Sequence, residues 1–127
     1  MKRIKTDKAP GAIGPYAQAV EANGFIFTSG QIPLDPVTGE VVPGSIEEQA
    51  ERTLLNLGAV LEAAGATFAD VVKATVFLTD LADFAGLNTV YARFFQGEGL
   101  AARSCVQVAA LPRGVRVEIE AIAVKRP

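Results

Sequence analysis

Residues 101–124, AARSCVQVAALPRGVRVEIEAIAV, set the strongest limit on how this chain can fold. Two apolar runs flank Leu111-Pro112-Arg113-Gly114, and each alternates with period two, the signature of a strand with one face fit for a core. In the second run Val115, Val117, Ile119, Ala121 and Ala123 share one face, and Arg116, Glu118 and Glu120 share the other. In the first run Ser104, Val106 and Val108 alternate with Arg103, Cys105 and Gln107. The faces opposite the core are read as gathering a guanidinium, a thiol and two carboxylates among Val, Ile and Ala. Charges that lose water cost free energy unless they are paired or used, so chemistry is expected there.

Upstream, residues 3–6 read as a short edge strand, and the glycines and proline of APGAIGPYA read as a loop. Residues 17–21 and 25–31 read as two strands joined by Asn23-Gly24, a strong tight-turn signal. Phe25, Ile26 and Phe27 place apolar groups on both faces of the later strand. QIPLDPVTGEVVPG is a loop with a turn at Pro36-Val37-Thr38-Gly39. Ser45 with Glu48 three residues on is a capping box. It opens a helix whose stripe is Ile46, Ala50, Leu54, Leu57, Leu61 and Ala64, ending at Gly65. Residues 70–79 form another strand with apolar groups on both sides. Asp83 is placed as the cap of a second helix with Phe84, Leu87, Tyr91 and Phe94 on one stripe. The order β-β-β-α-β-α-β-β predicts an α+β fold, with two helices covering one face of a sheet of about six strands. The uncovered apolar face is expected to meet other copies of the chain.

At 127 residues the chain reads as a single domain over residues 1–127. Half its residues are hydrophobic, and mean hydropathy is +0.28, rich enough that a partner chain is expected to hide some surface. Net charge is −2 and no basic cluster extends beyond KRIK and the terminal KR, which argues against nucleic-acid binding. One cysteine permits no internal disulfide, and the basic N-terminus lacks the apolar run of a secretory signal. With no stretch long enough to span a membrane, a cytoplasmic location is expected. There is no histidine. Ser-His-Asp and Cys-His catalysis and His-ligated metal sites are therefore out, and acid–base work must fall to carboxylates, Lys, Tyr, the thiol or water.

Each candidate group has a chemical and a structural reading. Arg103 can grip a carboxylate or phosphate through two parallel hydrogen bonds, or pair with a nearby glutamate. Glu118 and Glu120 share a face; one can serve as general base if burial raises its pKa, or both can be ion-pair partners of Arg103, Arg113 or Arg116. The Cys105 thiol has no histidine to activate it and reads as a small buried hydrophobe, while its carbonyl can hold a water. Ser29-Gly30 ends a strand, either as a bulge or as a close approach for a ligand. Tyr16 is a loop anchor or a hydroxyl aimed into a cleft. Asn88, on a largely apolar helix, bonds a neighbouring loop or a ligand.

GPYAQAV (residues 14–20), TSGQIPLDP (28–36), LTDLADFAGLNTVYARFF (78–95) and the 101–124 stretch together resemble the Rid family, the reactive-intermediate deaminases also called YjgF-like. The resemblance runs nearly end to end, and is most specific in the spacing of Arg, Cys, Leu-Pro and Glu-x-Glu. It implies a chorismate-mutase-like α+β fold. It also implies a homotrimer with sheets lining a central barrel, helices outside, and clefts between subunits. The last two strands then need not pair directly.

The resemblance further implies cofactor-free and metal-free hydrolysis of 2-imino acids or their enamines, such as 2-iminopropanoate and 2-iminobutanoate, to 2-oxo acids and ammonia. Such intermediates leak from pyridoxal-phosphate-dependent dehydratases, and clearing them limits metabolite damage. The family's carboxylate-gripping arginine matches Arg103, its water-activating glutamate Glu118, and its cysteine Cys105. Tyr16, Ser29, Gly30 and Asn88 match other cleft positions. Ala101 stands where many members carry proline. The rival readings are an RNA-directed translation inhibitor or endoribonuclease, and a non-catalytic trimer that binds small carboxylates or shields unfolded clients.

Overall fold

The computed structural model describes residues 1–126; the last position of the 1–127 domain range lies outside them. Eight main elements follow in the expected order. They are β1 (Lys2–Ile4), β2 (Ala19–Ala22), β3 (Phe25–Thr28), α1 (Ile46–Ala63), β4 (Val71–Leu78), α2 (Phe84–Phe94), β5 (Ala102–Gln107) and β6 (Val117–Val124). Short 3-10 turns at Phe68–Asp70, Leu81–Asp83 and Pro112–Gly114 complete them. The six strands form one sheet in the order β1-β2-β3-β6-β4-β5. Only β4 and β5 are parallel, joined by the α2 crossover. β4 lies between β5 and β6, so the last two strands do not form a hairpin.

Local chemistry sets the element ends. The Ser45 hydroxyl accepts from Glu48 N while Glu48 Oε1 accepts from Ser45 N, the capping box expected for α1. All six residues of the α1 stripe are buried. Gly65 follows at φ +84, where glycine alone is unstrained. β2 starts at Ala19 rather than 17, although the Gln18 carbonyl still accepts from Ser29 N at 2.8 Å, and the Gln18 side chain ties down the N-terminal segment. The Gln18 amide oxygen accepts from Thr6 N at 2.7 Å, and its nitrogen donates to the Pro10 carbonyl at 2.8 Å. The β3 ladder stops at Thr28, after which Gln31 alone bridges Ile119.

Asp83 does precede α2, but its side chain makes no capping bond. Arg116 takes both its oxygens, at 3.0 and 3.2 Å, while Asp80 caps the preceding turn. The α2 stripe also needs correction. Leu87, Val90 and Tyr91 are its buried residues, and Phe84 is 38% exposed.

Both helices cover one sheet face. Val117, Ile119, Ala121 and Ala123 of β6 are buried against them in the core with Ile26, Leu54, Leu57, Val76 and Leu78. The opposite face carries Phe25, Phe27, Val106 and Val124, each well exposed, with Phe27 at 41%.

The register overturns one expectation. Arg103 pairs with Ala74, which pairs with Ala121, so Arg103 shares the helix-covered side of the sheet. Val106 pairs with Phe77, which pairs with Glu118, so Glu118 shares the open side. Arg103 and Cys105 therefore do not share a face with Glu118 and Glu120. The alternation within each run is as read, but with β4 inserted the two runs meet in a register that opposes their polar sides.

Asn56, fully buried on α1, anchors the loop after β3. Its amide nitrogen donates to the carbonyls of Ile32 (3.1 Å) and Leu34 (2.9 Å), and its oxygen accepts from Arg52. Asn56→Ala orphans the Leu34 carbonyl, while the Ile32 carbonyl keeps its bond from Leu34 N, and is expected to lower unfolding free energy by roughly 1–3 kcal/mol in urea titration. An unchanged midpoint and slope would mean the loop holds without this anchor.

Candidate active site

The end of β3 and the start of β6 build the first half of the site. After Thr28 the chain leaves the ladder, and the Ser29 hydroxyl donates to the Ala17 carbonyl at 2.6 Å. That bond ties the strand end to the Tyr16 loop. Gly30 follows, and the Glu118 carboxylate lies directly on its backbone. A Cβ at residue 30 would meet Glu118 Oε2 at 2.0 Å. A side chain at residue 30 would displace the carboxylate, so glycine here leaves room for Glu118 rather than serving a turn. Tyr16, Ser29, Gly30, Gln31 and Glu118 line one cavity of about 450 Å³. The Tyr16 ring is half exposed, and its hydroxyl accepts a long bond from Ile13 N at 3.4 Å.

Neither Glu118 nor Glu120 forms an ion pair among the described residues, so the salt-bridge reading of both is set aside. Burial pushes the Glu118 carboxyl above its ordinary value, and the nearby Glu120 charge adds to the rise. A carboxylate that has lost water without gaining a cation is a stronger proton acceptor.

The second half lies on the other side of the sheet, on β5 and α2. Arg103 Nη1 donates to Asn88 Oδ1 at 2.7 Å, so Asn88 serves the arginine rather than a loop. The guanidinium carbon sits 4.7 Å over the Tyr91 ring and 5.3 Å over the Phe84 ring. Arg103 makes no ion pair among the described residues. Cys105 is half-buried and packs against the core; burial pushes its thiol up, against a smaller downward pull from Arg103. The thiol is thus weakly nucleophilic, as its structural reading had it.

The seven candidate residues accordingly fall into two groups. Tyr16, Ser29, Gly30 and Glu118 meet around one cavity, and Arg103, Asn88 and Cys105 meet beside α2. Three neighbours were not singled out as site residues from sequence. Phe84 and Tyr91 were read as core, although their spacing around Asn88 already placed all three on one helix stripe. Gln31 ends the same apolar strand as Ser29-Gly30, and its near-complete burial beside Glu118 has no signal in the pattern. A larger cavity of about 830 Å³, under the N-terminal segment, is lined by neither Arg103 nor Glu118. No group of three His, Cys, Asp or Glu side chains among the described residues can hold a metal ion. No helix there is long and apolar enough to cross a membrane.

Comparison with known proteins places this geometry. The family model described as Endoribonuclease L-PSP matches residues 6–125. A mouse protein named 2-iminobutanoate/2-iminopropanoate deaminase is 56% identical, over 99% of this chain and 93% of its own length. The crystal structure of E. coli TdcF with bound serine superposes with a TM-score of 0.93 at 52% identity, covering 99% of this chain and 100% of that one. YyfA from Yersinia pestis, described as a member of the conserved Rid protein family, gives 0.94 at 47% identity, covering 97% and 98%. Matches of this extent leave one assignment: the chain belongs to the Rid (YjgF-like) family.

Proposed function

We propose that this protein hydrolyses 2-imino acids and their enamine tautomers, such as 2-iminopropanoate and 2-iminobutanoate, to 2-oxo acids and ammonia. The observation that carries the reading is Glu118, a half-buried carboxylate with no ion-pair partner among the described residues, laid on the Gly30 backbone in an open cavity. The deaminase name of the mouse relative supports the substrate class. The serine bound to TdcF supports a site for small amino-acid-like molecules. An iminium carbon is already electrophilic. Arg103 holds the substrate carboxylate, and Glu118 takes a proton as water adds to that carbon. The resulting carbinolamine expels ammonia, with Glu118 returning the proton to the leaving nitrogen. The Cys105 carbonyl, Tyr16, Ser29 and Gly30 are assigned to placing water and substrate. Net charge −2 without a basic track favours a small acid over RNA as the ligand.

Because Arg103 and Glu118 lie on opposite sides of one sheet, the reading requires two chains. β5 is an edge strand, and its exposed Val106 belongs to an apolar face with Phe25, Phe27 and Val124. We infer a homotrimer, sheets inward around a central barrel. The Arg103 edge of one copy then completes the Glu118 cavity of the next. Each chain acts as one domain in the cytoplasm.

Glu118→Gln is expected to lower turnover by about 10²–10⁴-fold in an assay coupled to threonine dehydratase, reading ammonia release. Arg103→Ala should remove saturation by the imino acid. A near-normal rate in Glu118→Gln removes that residue from the mechanism. When the two inactive variants are unfolded together and refolded, mixed trimers recover activity at interfaces carrying both native residues. If mixing restores nothing, a cleft shared between chains is wrong.

The pH profile follows from the raised Glu118 carboxyl. The base form disappears as pH falls through that value, so the acid limb of kcat/KM should lie above the ordinary glutamate value of about 4.3. Glu120→Gln removes the smaller, repulsive contribution and should move the limb to lower pH. A limb that does not move in low salt would mean that burial alone sets the base.

A further inference from the structure

Arg103 is held by one hydrogen bond and two aromatic rings, and the reaction above uses only its N–H edge. Phe84, Asn88 and Tyr91 stand at i, i+4 and i+7 on α2, one stripe aimed at β5. Asn88 takes one N–H of the guanidinium, and the two rings lie against its carbon at 5.3 and 4.7 Å. Tyr91 is itself stacked on Phe95, with centroids 4.3 Å apart and planes 13° from parallel. Its hydroxyl is buried without a hydrogen-bond partner among the described residues.

A ring face presents the negative part of its quadrupole. It can hold a desolvated cation without consuming any N–H donor. A carboxylate neighbour would also hold the cation, but it would occupy the fork that a substrate needs. Of the five guanidinium N–H groups, one bonds to a described residue, Asn88. The remaining edge is left without a hydrogen-bond partner among the described residues.

We propose that Phe84 and Tyr91 are positioning residues for carboxylate recognition, two aromatic faces that hold Arg103 as a pre-ordered cation while leaving its N–H edge free. The proposal rests on the deaminase reading, in which that edge grips the substrate carboxylate. Phe84 carries it outward, since its partly exposed ring is the solvent-side member of the pair.

The test keeps shape and removes charge complementarity. Phenylalanines with one, two and three ring fluorines are placed at position 84 of the full chain, alongside Phe84→Leu. Binding of 2-oxobutanoate, the expected product, is measured by calorimetry, and imino-acid hydrolysis in parallel. Affinity should fall stepwise with fluorine number, reaching about 3–30-fold in Phe84→Leu, with the loss falling on KM rather than kcat. Tyr91→Leu should weaken binding, and Tyr91→Phe should rescue it, because the ring and not the hydroxyl is used. A flat fluorine series, or no rescue by Tyr91→Phe in a folded protein, overturns the clamp. Arg103→Ala separates the two readings. If native protein binds 2-oxobutanoate and Arg103→Ala does not, a flat series sinks the clamp alone. If native protein does not bind it, the carboxylate-gripping role fails and the clamp falls with it.

Discussion

The register across β5, β4 and β6 governs where each charge of this chain ends up. β4 turns Ala74, Val76 and Leu78 to the core and Lys73, Thr75 and Phe77 to the open side, and pairs on both edges, parallel to β5 and antiparallel to β6. Strand side chains alternate, so fixing one pair fixes all of them. Ala74 between Arg103 and Ala121 sends the guanidinium towards α2, and Phe77 between Val106 and Glu118 sends the carboxylate away. A slip of one residue in either ladder would exchange these sides and bury the wrong groups. The apolar rows of β4 and β6 make such a slip costly, since Val76, Leu78, Val117 and Ile119 are all fully buried.

That register also leaves a face that one chain cannot cover. α1 and α2 lie on the same side, and the other side shows Phe25, Phe27, Val106 and Val124. Each such side chain gains about 1.5–3 kcal/mol if fully buried, so association is favoured wherever the geometry permits it. Contiguous exposed apolar surface of this kind marks a contact face. The free β5 edge belongs to the same region, and Arg103 and Cys105 sit on it.

Much of this was readable in the sequence. The capping box at Ser45 and the α1 stripe are local signals, and helix formation depends mainly on local chemistry. The Asn23-Gly24 turn is equally local, with both residues at positive φ. Two-sided apolar strands announced a sheet needing a second cover. Pairing partners are not local, and the two C-terminal runs taken alone suggested charges gathered together when β4 in fact sets them on opposite sides. The fault at α2 was different. Phe84 and Tyr91 read as core and Asn88 as a separate polar candidate, because periodicity reports which residues share a side and not what they touch. Gly30 was legible as a close approach, but that the approaching group is Glu118 depends on a bridge between Gln31 and Ile119. No pattern in either segment encodes it.

The separation of the two groups within a chain has a chemical consequence. If Arg103 and Glu118 stood side by side in the same fold, they would pair before any substrate arrived. The guanidinium would lower the carboxyl pKa and weaken it as a base, and the carboxylate would fill the fork meant for the substrate. Placing them on opposite sides keeps the acid unpaired and raised by burial, while the cation rests on aromatic faces. In the shared cleft proposed above, a small acid would lie between the arginine of one copy and the glutamate of the next, its carboxylate on the guanidinium and its electrophilic carbon beside the glutamate. Within one chain, then, the two groups do not neutralise one another.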